Sequence, residues 1–123
     1  MVHGVQMVGL FVTDLESAVE FYRNVLGIPL EVDAHGERRH ADYSFRDPYF
    51  HFALFPEAAG QAIGPTHVTF RVEDCREAFR RATGAGAQVI HEPRLMPYSG
   101  GGLAAEVLDP DGNHIELFEP QAD

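Results

Sequence analysis

The chain has 123 residues, nine of them basic and nineteen acidic, for a formal net charge of −10. That size suits one compact domain rather than two independent ones, and the acidic surplus excludes nucleic acid and anionic membrane as partners. No apolar run approaches the roughly 20 residues that span a bilayer. A single cysteine excludes an internal disulfide, and the first residues lack a secretory signal's basic and apolar regions, so a cytoplasmic location is expected.

In chain order, Val8, Leu10 and Val12 alternate as one face of a strand, with Met7, Gly9 and Phe11 pointing the other way. A helix follows. Thr13 or Asp14 can cap it, with Glu16 three residues after Thr13. Leu15, Ala18, Val19, Tyr22, Val25 and Leu26 recur at helical spacing as its buried stripe, and Gly27 ends it. Extended segments are predicted over Pro29–Ala34, His40–Arg46 and Tyr49–Phe55, broken by His35-Gly36 and Asp47-Pro48. After a stretch rich in Ala, Gly and Pro come a strand at His67–Val72 and a helix from about Cys75 to Thr83, capped by Asp74. Cys75 takes the place of Leu15 and reads as a small core residue rather than a nucleophile. Strands near Gln88–Glu92, Leu103–Leu108 and His114–Phe118 complete the chain. The last two are joined by a turn, Asp109-Pro-Asp-Gly-Asn113.

The chain also repeats itself at a spacing of 60 residues: Val8 falls on Val68, Leu10 on Phe70, Val12 on Val72, Asp14 on Asp74 and Ala18 on Ala78. Later the register slips by three, so that Phe52-Ala-Leu-Phe55 falls on Ile115-Glu-Leu-Phe118. A unit repeated in this way reads as two copies of one supersecondary motif. The first module covers about 1–56, a linker 57–63, and the second module about 64–123. The halves differ where chemistry is at stake. Met7 stands where the second half has His67, and Ala53 where it has Glu116.

The stretch DLESAVEFYRNVLGIPL after a first strand, with LDPDGNHIELFEP near the C-terminus, resembles the vicinal oxygen chelate superfamily of glyoxalases, bleomycin-resistance proteins and extradiol dioxygenases. The resemblance implies an α+β, glyoxalase-like fold. In it, two βαβββ modules form a cupped, mixed and mostly antiparallel sheet with helices on the outer face. The other side of that sheet holds a divalent metal or a bare ligand pocket. It also implies a homodimer with a small-molecule ligand or substrate, because a partner closes the open sheet edges.

Strand parity agrees with such a cup. His67, Thr69 and Arg71 share the face opposite the helices, as do His114, Glu116 and Phe118. In the first half the matching set is Met7, Gly9, Phe11, His51, Ala53 and Phe55. Related enzymes draw metal ligands from the first and last strand of each module, which here are Met7, Ala53, His67 and Glu116. His67 and Glu116 keep the ligand types suited to Fe, Mn, Ni, Zn or Mg, whereas a thioether and a methyl group do not. His51 and His114 read either as rim residues or as replacement ligands, and His67 with Glu116 as metal ligands or as a hydrogen-bonded polar pair. Arg71 either meets an anionic group of the substrate or is neutralised by Glu116 or Glu106. Thr69, Phe11, Phe55 and Tyr98 complete the substrate-binding candidates. His3, His35, His40 and His91 lack convergent spacing and read as surface or loop residues.

Three functions remain open. The first is a metal-assisted lyase, isomerase or dioxygenase using His67 and Glu116. The second is a metal-free drug- or metabolite-binding protein of the bleomycin-resistance type, and the third is a metal-free enzyme with Glu116 as base.

Overall fold

Two aspartates fix where the helices begin. Asp14 and Asp74 stand in extended backbone, and their carboxylates accept hydrogen bonds from the Ser17 and Glu77 amides at 3.1 and 3.0 Å. Each satisfies an amide that the first helical turn leaves without a partner. The Ser17 amide holds the Asp14 carboxyl below its usual range.

The computed structural model describes residues 1, 5–33, 39–46, 49–56, 66–96 and 101–121. The turns expected at His35-Gly36 and Asp47-Pro48, the linker 57–63, Tyr98, His3 and His35 lie outside the described residues. The chain divides into two compact units, Met1–Ile63 and Gly64–Asp123. The first contains β1 (Met7–Val12), α1 (Leu15–Val19), β2 (Glu31–Asp33), β3 (His40–Phe45) and β4 (Phe50–Pro56). The second contains β5 (His67–Arg71), α2 (Cys75–Gly84), β6 (Gln88–Leu95), β7 (Gly102–Leu108) and β8 (His114–Pro120). Each unit is thus βαβββ and carries its own four-stranded sheet, ordered β1-β4-β3-β2 and β5-β8-β7-β6. The first strand of each pairs in parallel with the last, and the remaining pairs are antiparallel. The two βαβββ modules and their mixed, mostly antiparallel pairing are as expected, with one four-stranded sheet per unit. Among the described residues no helix is long and apolar enough to cross a membrane.

In the N-terminal unit, Leu10, Val12, Phe52 and Leu54 turn one sheet face toward α1 and are buried. Each such side chain contributes about 1.5–3 kcal/mol relative to exposure. After Val19 the helix widens into a π-helical segment, Glu20–Val25. The changed winding departs from the 3.6-residue stripe. Phe21 and Tyr22 are both buried, in edge-to-face contact at 5.2 Å, and Tyr22 packs on Phe52 at 5.5 Å. Val25 and Leu26, expected on the stripe, are only half-buried.

In the C-terminal unit, Ile115, Leu117, Val107 and Ala105 are buried, and α2 packs on β6, β7 and β8. Cys75 is fully buried, its thiol donating to the Leu117 carbonyl at 3.3 Å. Burial pushes that thiol up to about 11. The turn between β7 and β8 is built around two buried polar residues, Asp109 and Asn113. Asp109 accepts from the Asp111 and Asn113 amides and from the Asn113 side-chain amide, at 2.8–2.9 Å. Gly112 supplies the positive φ of 84° that closes the turn. The Asn113 carbonyl oxygen then accepts from the Thr66 amide and hydroxyl at 3.1 and 2.7 Å, and the His114 amide donates to Thr66 O at 2.7 Å.

Replacing Asn113 with Ala strands the Thr66 donors and part of Asp109. The expected loss is on the order of 1–3 kcal/mol in chemical denaturation, more than for an exposed polar residue. Cys75 is expected to resist iodoacetamide near neutral pH in the folded protein and to react at once in denaturant, followed by mass spectrometry.

Candidate functional site

Residues directly paired across a sheet share a face, so strand register assembles the site. Parallel pairing sets His67 beside His114, Thr69 beside Glu116 and Arg71 beside Phe118. Antiparallel pairing of β8 with β7 adds Glu106 beside Glu116. The alternate residues Ile115, Leu117 and Val107 are buried on the opposite face, which leaves this row of polar side chains on the face away from α2.

The row is joined by specific contacts. The Thr69 hydroxyl donates to Glu116 Oε1 at 2.9 Å, so its oxygen is left to accept from His67 Nε2 at 3.2 Å. That puts a proton on His67 Nε2, and in the neutral ring Nδ1 is the lone pair that can bind a cation. Nδ1 faces Glu106 Oε1 at 3.7 Å, too far for a hydrogen bond. On its other oxygen Glu106 accepts from His114 Nδ1 at 3.0 Å, and the His114 ring lies nearly parallel to that of His67 at 6.4 Å. Glu106 is the sheltered member, its side chain 14% exposed against 52% for His67. One ligand atom from each of His67, Glu106 and Glu116 lies within 4.8 Å of the other two.

The structure therefore brings His67, Thr69, His114 and Glu116 together and adds Glu106, which the sequence reading treated only as a partner for Arg71. The available signal was its isolation, a single carboxylate in the otherwise apolar strand Leu103–Leu108. Glu106 and Glu116 engage Thr69 and the imidazoles instead, and among the described residues no ion pair involves Arg71. Arg71 opens onto a groove with Val72, Glu73, Glu119 and Pro120.

Phe11, His51 and Phe55 lie in the N-terminal unit, with Met7 beside His51, Gly9 beside Ala53 and Phe11 beside Phe55. Met7 is 44% exposed and Ala53 fully buried. A Cβ on Gly9 would come within 2.7 Å of the Phe55 ring, so glycine is what lets that ring lie against β1. His51 is held within its own unit, by Ser44 at 2.9 Å and by Asp42 at 3.2 Å. His40 and His91, read as surface or loop residues, both stand on strands and are partly buried. His40 stacks on Phe55 at 5.8 Å.

A family model, the Glyoxalase/Bleomycin resistance protein/Dioxygenase superfamily, matches residues 4–117. The chain belongs to this superfamily. Solved structures similar to it include TnmS3, an antibiotic-binding protein from Streptomyces sp. CB03234, at 26% identity over 98% of both chains with a TM-score of 0.78. A superfamily member from Sphaerobacter thermophilus DSM 20745 aligns at 25% identity over 96% of this chain and 98% of the other, with a TM-score of 0.73. A lactoylglutathione lyase from Agrobacterium tumefaciens shares the fold at 22% identity, over 97% and 95% of the two chains, with a TM-score of 0.68. No curated protein matches the chain.

The superfamily's members include metal-dependent enzymes, and the residues of the C-terminal unit fit a divalent cation. Nδ1 of the neutral His67 ring and Glu106 Oε1 face each other at 3.7 Å, a spacing at which both can bind one cation. Two ligands bonded at about 2.1 Å to one cation stand roughly 3–3.7 Å apart. The donor set of one imidazole and two carboxylates suits a hard or borderline ion.

Proposed function

We propose that this chain is a small-molecule-binding superfamily member whose C-terminal unit holds a divalent cation through His67, Glu106 and Glu116. The convergence of their three ligand atoms within 4.8 Å carries the reading. Such an ion, Mn, Fe, Ni, Zn or Mg, supplies Lewis-acid polarisation of vicinal substrate oxygens. The chain's own residues do the positioning. Thr69 fixes both His67 and Glu116, and His114 orients Glu106. Arg71 stands one step along the same face of β5 from Thr69, where it can meet an anionic group on the substrate. The class of reaction proposed is a lyase, isomerase or dioxygenase step.

The second reading is a metal-free binding protein. The aromatic row of Phe11, Phe55 and His40 supports it, together with the similarity to an antibiotic-binding protein. A metal-free enzyme using Glu116 as base, with Thr69 on its carboxylate, is the third.

Calorimetric titration with manganese, nickel and zinc salts separates them. On the first reading wild type binds one ion, and His67→Ala or Glu116→Gln abolishes binding with an unchanged circular dichroism spectrum. Glu106→Gln also weakens it, and His114→Ala reduces affinity about 10–100-fold through the lost orientation. Wild type that binds no ion in excess, yet binds aromatic ligands in the presence of chelator, establishes the second reading. Turnover that survives chelator and is lost in Glu116→Gln establishes the third.

We also propose a homodimer. Val32 on β2 and Val89, Ile90 and Leu95 on β6, strands at the ends of their sheets, are exposed. Sedimentation velocity at tens of micromolar is expected to show a dimer, about the range in which standard-size interfaces associate. A monomer there overturns the proposal.

A further inference from the structure

The N-terminal unit carries a polar cluster of its own residues. Pairing of β3 with β4 sets Ser44 beside His51 and Asp42 beside Ala53. From these positions Ser44 Oγ lies 2.9 Å from His51 Nδ1, and His51 Nε2 lies 3.2 Å from Asp42 Oδ2. The same carboxylate oxygen faces His40 Nε2 at 3.5 Å. A carboxylate can only accept, so Nε2 carries the proton of the neutral His51 ring and Nδ1 its lone pair. The Ser44 hydroxyl is then the donor to Nδ1. With both ring nitrogens engaged, the ring orientation is settled, because turning it over would set carbon atoms against Ser44 and Asp42. The His51 and Asp42 side chains are 23% and 28% exposed, sheltered from bulk water but open to a small molecule.

A hydroxyl that donates to an imidazole held in one tautomer by a carboxylate is an activated nucleophile, a grouping recognised by geometry and role rather than by fold. We propose that Ser44 is an acyl-accepting nucleophile, with His51 as its base and Asp42 as the residue that orients the base. Ser44 Oγ adds to an ester carbonyl carbon as His51 Nδ1 takes the hydroxyl proton. The tetrahedral adduct collapses, the bond from carbonyl carbon to leaving oxygen breaks, and the imidazolium returns its proton to that oxygen. The products are acyl-serine and the free alcohol, and attack by water through the same base later releases the acid. No lysine amine competes as acyl acceptor, because all nine Lys+Arg residues are Arg.

The test uses the full chain with p-nitrophenyl acetate and chelator, so that the outcome is independent of the cation site. Wild type is expected to release a burst of about one equivalent of p-nitrophenolate, with peptide mass spectrometry placing the acetyl group on Ser44. Ser44→Ala abolishes the burst, Ser44→Cys restores labelling at that position, and His51→Gln slows it about 10²–10⁴-fold. Asp42→Asn slows it as well, and thermal melting of each variant confirms that it is folded. A burst that persists in Ser44→Ala overturns the proposal. So does acetylation confined to other residues, or folded wild type that is not acetylated at all.

Discussion

The C-terminal unit depends on one buried polar clamp. Asp109 and Asn113 lie within a single turn, yet Asn113 reaches across to Thr66, the residue before β5. Buried amides and carboxylates are tolerated only when paired, and here each partner satisfies another. Among the described residues no buried side-chain polar atom is left without a partner. The clamp sets the parallel register of β5 with β8, since a turn bonded to Thr66 leaves His67 beside His114 and Thr69 beside Glu116. A slip of one residue would turn every polar group on β5 toward α2. The polar row of the candidate site is thus a consequence of hydrogen bonds made several residues away.

The N-terminal unit repeats the arrangement with different chemistry. The His51 amide donates to Gln6 O, as the His114 amide does to Thr66 O, and the first and last strands pair in parallel in both units. Where the second unit has His67 and Glu116, the first has Met7 and Ala53. Its polar groups are His51 on β4 and Ser44, Asp42 and His40 on β3, with Asp42 in the place of Glu106. Equivalent backbone positions thus present a carboxylate-rich cluster in one unit and an imidazole–hydroxyl relay in the other.

Much of this fold was legible in the sequence, because it is written in short periods. The period of two on each strand separates Ile115 and Leu117 from His114 and Glu116. The 60-residue repeat and its slip of three match the two parallel pairings, Met7 with His51 and His67 with His114. Other features depend on register between strands, which no local pattern carries. Glu106 gains meaning only when β7 is set against β8, and Ser44 and Asp42 only when β3 is set against β4. His40 read as a surface residue because its partners, Asp42 and Phe55, are a neighbour on its own face and a ring across the sheet. The π-helical winding at Glu20–Val25 was hidden for another reason. It preserves the apolar content of the segment while changing which residues turn inward.

The parallel pairing of β5 with β8 also bears on the order of folding. Thr69 and Glu116 are 47 residues apart in the chain, whereas β7 and β8 are joined by a five-residue turn. Local closure is faster than closure of a long loop, so the β7–β8 hairpin is expected to form well before β5 docks. In that interval Glu106 and Glu116 stand side by side on the hairpin, with His114 there but not the imidazole of His67. Like charges directly opposed on a sheet disfavour it. Arrival of β5 therefore completes the parallel pair and brings the Thr69 hydroxyl to donate to Glu116, so the polar row is assembled only when the longest loop of the unit closes.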